Sequence, residues 1–192
     1  MEDDRNRWNS RYTGEEFILG TQPSRFLAEN LTFITSLCPG RKALDIACGE
    51  GRNSIFLARH GFAVTGLDIS EEGLTKGARR AADEALAIEF RCVDLEVYEF
   101  TESWDLVINF NFLLRDLIPK MVAALNTGGV IVFDTLLDSP SASVPHKKEY
   151  LLQPGELSRI FQGFAGEILR YEERPLDASS TAKLIFQNGD GG

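Results

Sequence analysis

Two acids and two glycines stand where a nucleoside ligand would need them. The run Asp45-Ile-Ala-Cys-Gly49-Glu-Gly51-Arg-Asn53-Ser54 follows an apolar stretch and opens a helical one. Glycines in that context let backbone amides approach a ligand closely. Asp68 lies 19 residues beyond Gly49, at the end of a second apolar run, where a carboxylate can take both ribose hydroxyls of an adenosine. A glycine turn between strand and helix is common; the second acid at this distance makes the pair a candidate adenosine site.

Charge narrows the ligand. A dinucleotide loop wants a third glycine, where this chain has Ser54, and helix-terminal amides free to meet a pyrophosphate. Here Asp45 precedes the turn and Glu50 lies inside it. Two unit negative charges ~5 Å apart repel by about 3 kcal/mol at an effective dielectric of 20. The loop is therefore expected to disfavour pyrophosphate and to accept a cation. S-adenosylmethionine, with a sulfonium, an α-ammonium and no phosphate, suits it better than NAD.

These residues need a scaffold, and the hydrophobic periodicity supplies one. Phe26, Leu27, Leu31, Ile34 and Leu37 recur at helical spacing until Pro39-Gly40. Strands are expected at 42–47, 63–67, 87–93, 106–110 and 130–135. Helices are expected at about 53–60, at 70–84 with Ser70 as N-cap, and at 117–125. Strand and helix alternating at this spacing mean βαβ units, a parallel sheet and helices on both faces. A loop (137–149) and a helix (154–161) precede two strands at 167–173 and 182–187. The short connection between those strands permits only antiparallel pairing. The expected fold is α/β, a doubly wound, mostly parallel seven-stranded sheet of Rossmann-like type with an antiparallel C-terminal edge hairpin. Residues 1–22 read as an N-terminal arm or lid, 23–188 as the ligand-binding domain, and 189–192 as a flexible tail. In the arm, Trp8, Arg11 and Tyr12 fall on one face of a helix (i, i+3, i+4), a set suited to closing over a ligand.

Composition excludes several classes. At 192 residues and 43% hydrophobic content the chain can bury a core without disulfides or metal. No apolar run approaches the ~18 residues of a membrane span, and the polar start is unlike a signal peptide. Cys38, Cys48 and Cys92 are odd in number and lack C-x-x-C spacing, so neither a disulfide framework nor a metal site is expected, and a cytoplasmic location is. A net charge of −9 opposes nucleic acid as a partner. A monomer or weak homodimer is expected.

Asp45-x-x-x-Gly49-x-Gly51 with Asp68 resembles motifs I and II of class I S-adenosylmethionine-dependent methyltransferases. The fuller run LDIACGEGRNSIFLARHGFAVTGLDIS is similar to the tellurite-resistance and thiopurine methyltransferase-like branch. So are Asp94-Leu95, the segment Asp105–Phe112 with Arg115, LNTGG at 125–129, Trp8-x-x-Arg11-Tyr12, and LLQPGEL at 151–157. The resemblance implies that Asp45 and Gly49 face the methionine end, that Gly51 lets the backbone approach closely, and that Ala47 and Asn53 also bind the cofactor. By the same resemblance Asp68 binds ribose, Ile69 packs on adenine, Asp94 and Leu95 meet the adenine amine, and Asn109 meets the methionyl part. Asn53 could equally cap a helix, Asp94 a turn, and Asn109 a strand end. Cys48 reads as a packing residue.

Methyl transfer is an in-line displacement in which alignment alone can contribute about 7–11 kcal/mol. A strong acid or base is then unnecessary for a soft nucleophile, and no catalytic residue is singled out. Phe110 and Phe112 beside Arg115 suit a small acceptor pocket, though ordinary core packing explains the phenylalanines equally. His146, in a Pro-flanked loop, is the candidate general base outside the core. The expected activity is methyl transfer from S-adenosylmethionine, giving S-adenosylhomocysteine, to a small thiol, metalloid oxyanion or similar acceptor. A nicotinamide-dependent oxidoreductase and a non-catalytic S-adenosylmethionine-binding module are the alternatives.

Overall fold

The computed structural model describes residues 2–138, 147–174 and 180–189. His146 and most of the 137–149 loop lie outside these, as does the end of the tail. The described elements are helices α1 (Glu2–Tyr12), α2 (Arg25–Leu37), α3 (Arg52–Arg59), α4 (Glu71–Asp83), α5 (Leu117–Ala123) and α6 (Glu156–Phe161). The strands are β1 (Lys42–Ile46), β2 (Ala63–Asp68), β3 (Ile88–Cys92), β4 (Trp104–Phe110), β5 (Leu125–Leu136), β6 (Gly166–Arg174) and β7 (Thr181–Asn188).

The strand order is β3-β2-β1-β4-β5-β7-β6. The first five strands are parallel, and β7 runs antiparallel to both β5 and β6. The order reverses between β1 and β4, and ligands of such sheets bind beyond the strand ends at that point. Two apolar layers cover the sheet. Phe26, Leu27 and Ile34 of α2 and Leu57 of α3 pack on Ala43, Ile108, Val132 and Ile185. Leu117, Ile118 and Met121 of α5 and Leu157 and Phe161 of α6 pack on Leu44, Val107, Phe133 and Phe186. Leu27, Ile34, Phe133 and Phe186 have no exposed surface, and each such side chain is worth about 1.5–3 kcal/mol.

Several boundaries differ from expectation. Helix α5 stops at Ala123, and β5 begins at Leu125, because Leu125 pairs with Trp104 ahead of a register shift. Trp104 is only 2% exposed, and its burial draws the start of β4 back from 106. Helix α6 starts at Glu156, since Gly155 turns the chain at φ +72°. Ser70 caps α4 as expected, its hydroxyl accepting from the Gly73 amide over 3.2 Å.

Candidate functional site

The site is built at the carboxyl ends of β1, β2, β4 and β5. After Ile46 the backbone enters the left-handed region three times, at Ala47 (φ +52°), Gly49 (φ +55°) and Gly51 (φ +71°). Ala47 carries a side chain there, an uncommon state for a non-glycine residue. Both glycines are also required by their neighbours. A Cβ on Gly49 would lie 2.6 Å from the Tyr12 hydroxyl, and one on Gly51 would lie 2.8 Å from the Phe90 ring.

The two acids behave differently. Asp68 accepts from the Gly49 amide over 2.7 Å and from the Ser70 amide over 2.9 Å, so it holds the glycine loop against the start of α4. Burial raises its pKa against these bonds. Each oxygen keeps an acceptor direction beyond its amide, a donor set that fits a ribose diol. Asp45 is 1% exposed and accepts the Ser54 hydroxyl over 2.6 Å. Burial pushes its carboxyl up to about 7, against the Ser54 bond. Such an acid gains from a cation brought alongside it, so these residues fit S-adenosylmethionine.

The structure corrects the charge reading of the loop in two respects. Glu50 does not add a free negative charge: Lys76 Nζ lies 2.5 Å from its carboxylate, which also accepts the Ile18 amide over 2.8 Å. Ser54 is not merely a missing glycine but the hydroxyl that holds Asp45.

The arm is built onto this loop. Trp8 and Tyr12 stack at 5.8 Å, and the Arg11 guanidinium covers Trp8 at 4.7 Å. The expected shared helix face is therefore present. Tyr12 is 9% exposed, and burial beside Asp68 and Glu50 raises its phenol pKa. Arg11 remains exposed. Asn9 Oδ1 accepts the Ser70 hydroxyl over 2.7 Å, so α1 sits at the N-terminus of α4. Beyond α1, Lys76 Nζ donates to the Gly14 and Glu16 carbonyls, Arg52 to that of Leu19 and Arg80 to that of Thr21.

The remaining candidates divide. Asn53 is buried and accepts the Ser24 amide over 2.8 Å, which ties α3 to the start of α2. Asn109 is 1% exposed and donates to the Phe112 carbonyl over 2.8 Å, closing the turn through Asn111 (φ +56°). Ile69 and Asp94 are half-buried and Leu95 is buried. Asp94 also accepts the Glu96 amide over 3.0 Å, the turn cap considered above.

The expected acceptor pocket needs correcting. Phe110 packs on the α2–α3 side of the sheet and Phe112 on the α5–α6 side, because β4 ends at Phe110 and Asn111 turns the chain. They form no common wall. The Arg115 guanidinium is committed to Glu156 (2.6 and 3.1 Å) and to the Glu149 and Leu151 carbonyls (2.8 Å each). It staples the segment before α6 rather than offering a charge to an acceptor.

Sequence reasoning missed Asp134. It is 9% exposed at the carboxyl end of β5, in register with Phe110 and Lys183. Burial pushes its carboxyl up to about 6, with Lys183 and Arg52 opposing and Glu172 reinforcing. A single acid closing the apolar run Val130–Phe133 is the same signal that marked Asp45 and Asp68.

Comparison with known proteins agrees with this geometry. Residues 43–129 match the family described as a methyltransferase domain. The chain is 26% identical over 139 residues to the probable S-adenosyl-L-methionine-dependent methyltransferase TehB of Haemophilus influenzae, covering 69% of this chain and 48% of that protein. It is 32% identical over 135 residues to the putative methyltransferase YqeM of Bacillus subtilis, covering 65% and 54%. The chain thus spans about half the length of the curated relatives it matches. The crystal structure of the Haemophilus influenzae TehB superposes with a TM-score of 0.73 at 20% identity, covering 96% of this chain and 66% of that one. The N-methyltransferase NodS of Bradyrhizobium japonicum, solved with S-adenosyl-L-homocysteine, gives 0.72 at 18% identity, covering 96% and 97%. Residues 43–129 thus resemble a methyltransferase domain, and the whole fold is shared with solved methyltransferases. Among its relatives the chain is similar to TehB both in sequence and in fold.

Proposed function

We propose that this chain transfers a methyl group from S-adenosylmethionine to a small-molecule acceptor, a thiol, metalloid oxyanion or similar soft nucleophile. The observation that carries the proposal is the pair of buried strand-end acids on a left-handed glycine loop: Asp45 held by Ser54, and Asp68 held by the Gly49 and Ser70 amides.

In this proposal Asp68 takes the ribose hydroxyls, Ile69 packs on adenine, and Asp94 with Leu95 meets the adenine amine. Asp45 and Gly49 face the methionine end, with Ala47 and Asn109 beside them. When bound, S-adenosylmethionine supplies an electrophilic methyl on a sulfonium that is its own leaving group. The chain's residues then align an acceptor and exclude water, contributions that need no strong acid or base. Residues 1–22 act as a lid, with Tyr12 against Gly49 and Asn9 against Ser70. The chain's likeness to TehB, whose name marks it as a probable methyltransferase, supports transfer chemistry over a nicotinamide-dependent reaction or passive binding.

Two assays test the proposal together. Heat-denaturation scans with S-adenosylmethionine, S-adenosylhomocysteine or NAD should show stabilisation by the first two alone, about 2.7 kcal/mol at ~100 times the dissociation constant. A product assay across thiols, selenite, tellurite and quinols should detect a methylated acceptor. Stabilisation without any product would leave a binding module.

A further inference from the structure

One face of α4 carries both the glycine loop and the arm. Gly73, Lys76, Gly77 and Arg80 lie on it at the i, i+3, i+4 and i+7 positions. A Cβ on Gly73 would lie 3.1 Å from the Tyr12 ring, and one on Gly77 would lie 3.1 Å from the Glu50 carbonyl oxygen. The two glycines leave room for Tyr12 of the arm and for the backbone of the turn. Lys76 stands between them, half-buried.

The Lys76 ammonium is met by groups from both partners. Nζ donates to the Gly14 carbonyl over 2.9 Å and to the Glu16 carbonyl over 2.8 Å, and it lies 2.5 Å from the Glu50 carboxylate. An ammonium has three protons to donate, and these three oxygens match them. The Phe17 ring covers it at 4.9 Å, with the Arg80 guanidinium over the same ring at 5.8 Å. The other Glu50 oxygen accepts the Ile18 amide over 2.8 Å. Residues 14–18 are thus strapped, through Lys76 and Glu50, to the turn that holds Gly49 and Gly51. Apolar burial gives the strap little help, since Ile18 is 37% and Leu19 54% exposed. The strap begins two residues after Tyr12, so what fixes it also fixes the seat of Tyr12 against Gly49.

We propose that Lys76 is a positioning residue for methyl transfer, pinning residues 14–18 to Glu50 so that Tyr12 and α1 stay over the glycine loop. The inference rests on the methyl-transfer function proposed above and assigns the group that holds its lid in place. Lys76 acts through the strap rather than on the cofactor or the acceptor. Compensating the buried Glu50 charge is the lesser part of this role. Any cation near Glu50 would do that, whereas only one that also reaches the Gly14 and Glu16 carbonyls holds the strap.

The test compares the intact chain with Lys76→Met, Glu50→Gln and the variant carrying both. Methionine keeps the apolar stem of the lysine and removes its donors. Turnover is read with whichever of 2-mercaptoethanol, selenite and tellurite gives a methylated product. In Lys76→Met, kcat should fall by about 10–10²-fold, the cost of a small misplacement, with S-adenosylhomocysteine affinity by calorimetry within about threefold. Acrylamide quenching should rise in the same variant. It reports on half-buried Trp8 of α1, because Trp104, the other tryptophan, is 2% exposed. The double variant should fall below Glu50→Gln by the same factor. If Lys76→Met does not fold, because Glu50 is left buried without its partner, the double variant carries the test against Glu50→Gln. Parental kcat in Lys76→Met, or a double variant that matches Glu50→Gln, would reduce Lys76 to a counter-charge and overturn the proposal. So would a fall in kcat without a rise in quenching, or a loss of S-adenosylhomocysteine affinity as large as the loss of kcat. Failure of the intact chain to bind S-adenosylhomocysteine, or to methylate any of the three acceptors, would instead overturn the function on which the proposal rests.

Discussion

The Ser54 hydroxyl donates to the Asp45 carboxylate over 2.6 Å, joining the first turn of α3 to the end of β1. With Asp45 only 1% exposed, that bond is the polar support of a buried acid. Ser54→Ala should therefore cost about 1–3 kcal/mol of stability, the range for a buried group left without its partner. It should also raise the Asp45 pKa and weaken S-adenosylmethionine more at pH 7 than at pH 9. Chemical denaturation and calorimetry at the two pH values check this. A loss independent of pH would confine Ser54 to packing.

Asp45 and Asp134 give the chain an unusual pH response. Both pKa values are raised from 3.8, to about 7 and about 6, so the folded chain holds these protons more tightly than the unfolded one. Their contribution is fully present below about 3.8 and is lost as the pH rises through about 7. The carboxylates held low by arginine or lysine, Glu84, Glu89, Glu102 and Glu156, act below 4.5 and in the opposite sense. Between pH 5 and 7.5 thermal stability should therefore fall, and Asp45→Asn should flatten the fall. A curve that rises through this window in the parent chain would contradict the burial of both charges.

Proton release on ligand binding follows from the same acids. At pH 6 a cation placed beside Asp45 should expel its proton, and at pH 8.5 there should be none to expel. Calorimetry of S-adenosylmethionine in buffers of different ionisation enthalpy reads this directly. Equal release at both values would place the cation elsewhere.

The strand-and-helix framework was legible because most elements obey a simple period. Ala63–Asp68 and Trp104–Phe110 are apolar runs bounded by turns, and the short 174–181 connection required an antiparallel pair. The glycine loop and Asp68 were legible because their spacing belongs to one local unit. What a side chain does with its polar atoms was not. Nothing in the spacing reveals that Glu50 is spent on Lys76 and Ile18, that Arg115 is spent on Glu156, or that Phe110 and Phe112 part to opposite faces. Those outcomes depend on residues up to 41 positions away and on one left-handed residue, Asn111. Asp134 was missed although its pattern matched that of Asp45, because no glycine turn follows it to draw attention.

Arg115 offers a check on the corrected pocket. Arg115→Met removes four hydrogen bonds to Glu156, Glu149 and Leu151 and leaves the Glu156 carboxylate without its ion pair. It should lower stability by about 1–3 kcal/mol and leave the KM for the acceptor within about threefold. A large rise in KM with unchanged stability would return Arg115 to the acceptor.

Removal of residues 1–22 tests the arm. Tyr12 lies against Gly49 and Gly73, and Asn9 accepts the Ser70 hydroxyl, so α1 meets the domain at the glycine loop and the start of α4. The truncated chain should fold, lose most turnover and bind S-adenosylmethionine only modestly less well. Protease cutting near Arg11 should slow when S-adenosylmethionine is added. Normal turnover with unchanged cutting would make the arm a docked tail.

The most direct measurement is calorimetric titration of S-adenosylmethionine, adenosine and NAD into the intact chain, Asp45→Ala and Asp68→Ala. The expected result is micromolar binding of S-adenosylmethionine and none of NAD. Asp68→Ala should weaken both S-adenosylmethionine and adenosine, whereas Asp45→Ala should weaken S-adenosylmethionine and spare adenosine. NAD binding as tightly as S-adenosylmethionine, or equal loss of adenosine in both variants, would contradict a cation-binding acid at Asp45 and the methyl-transfer site built around it.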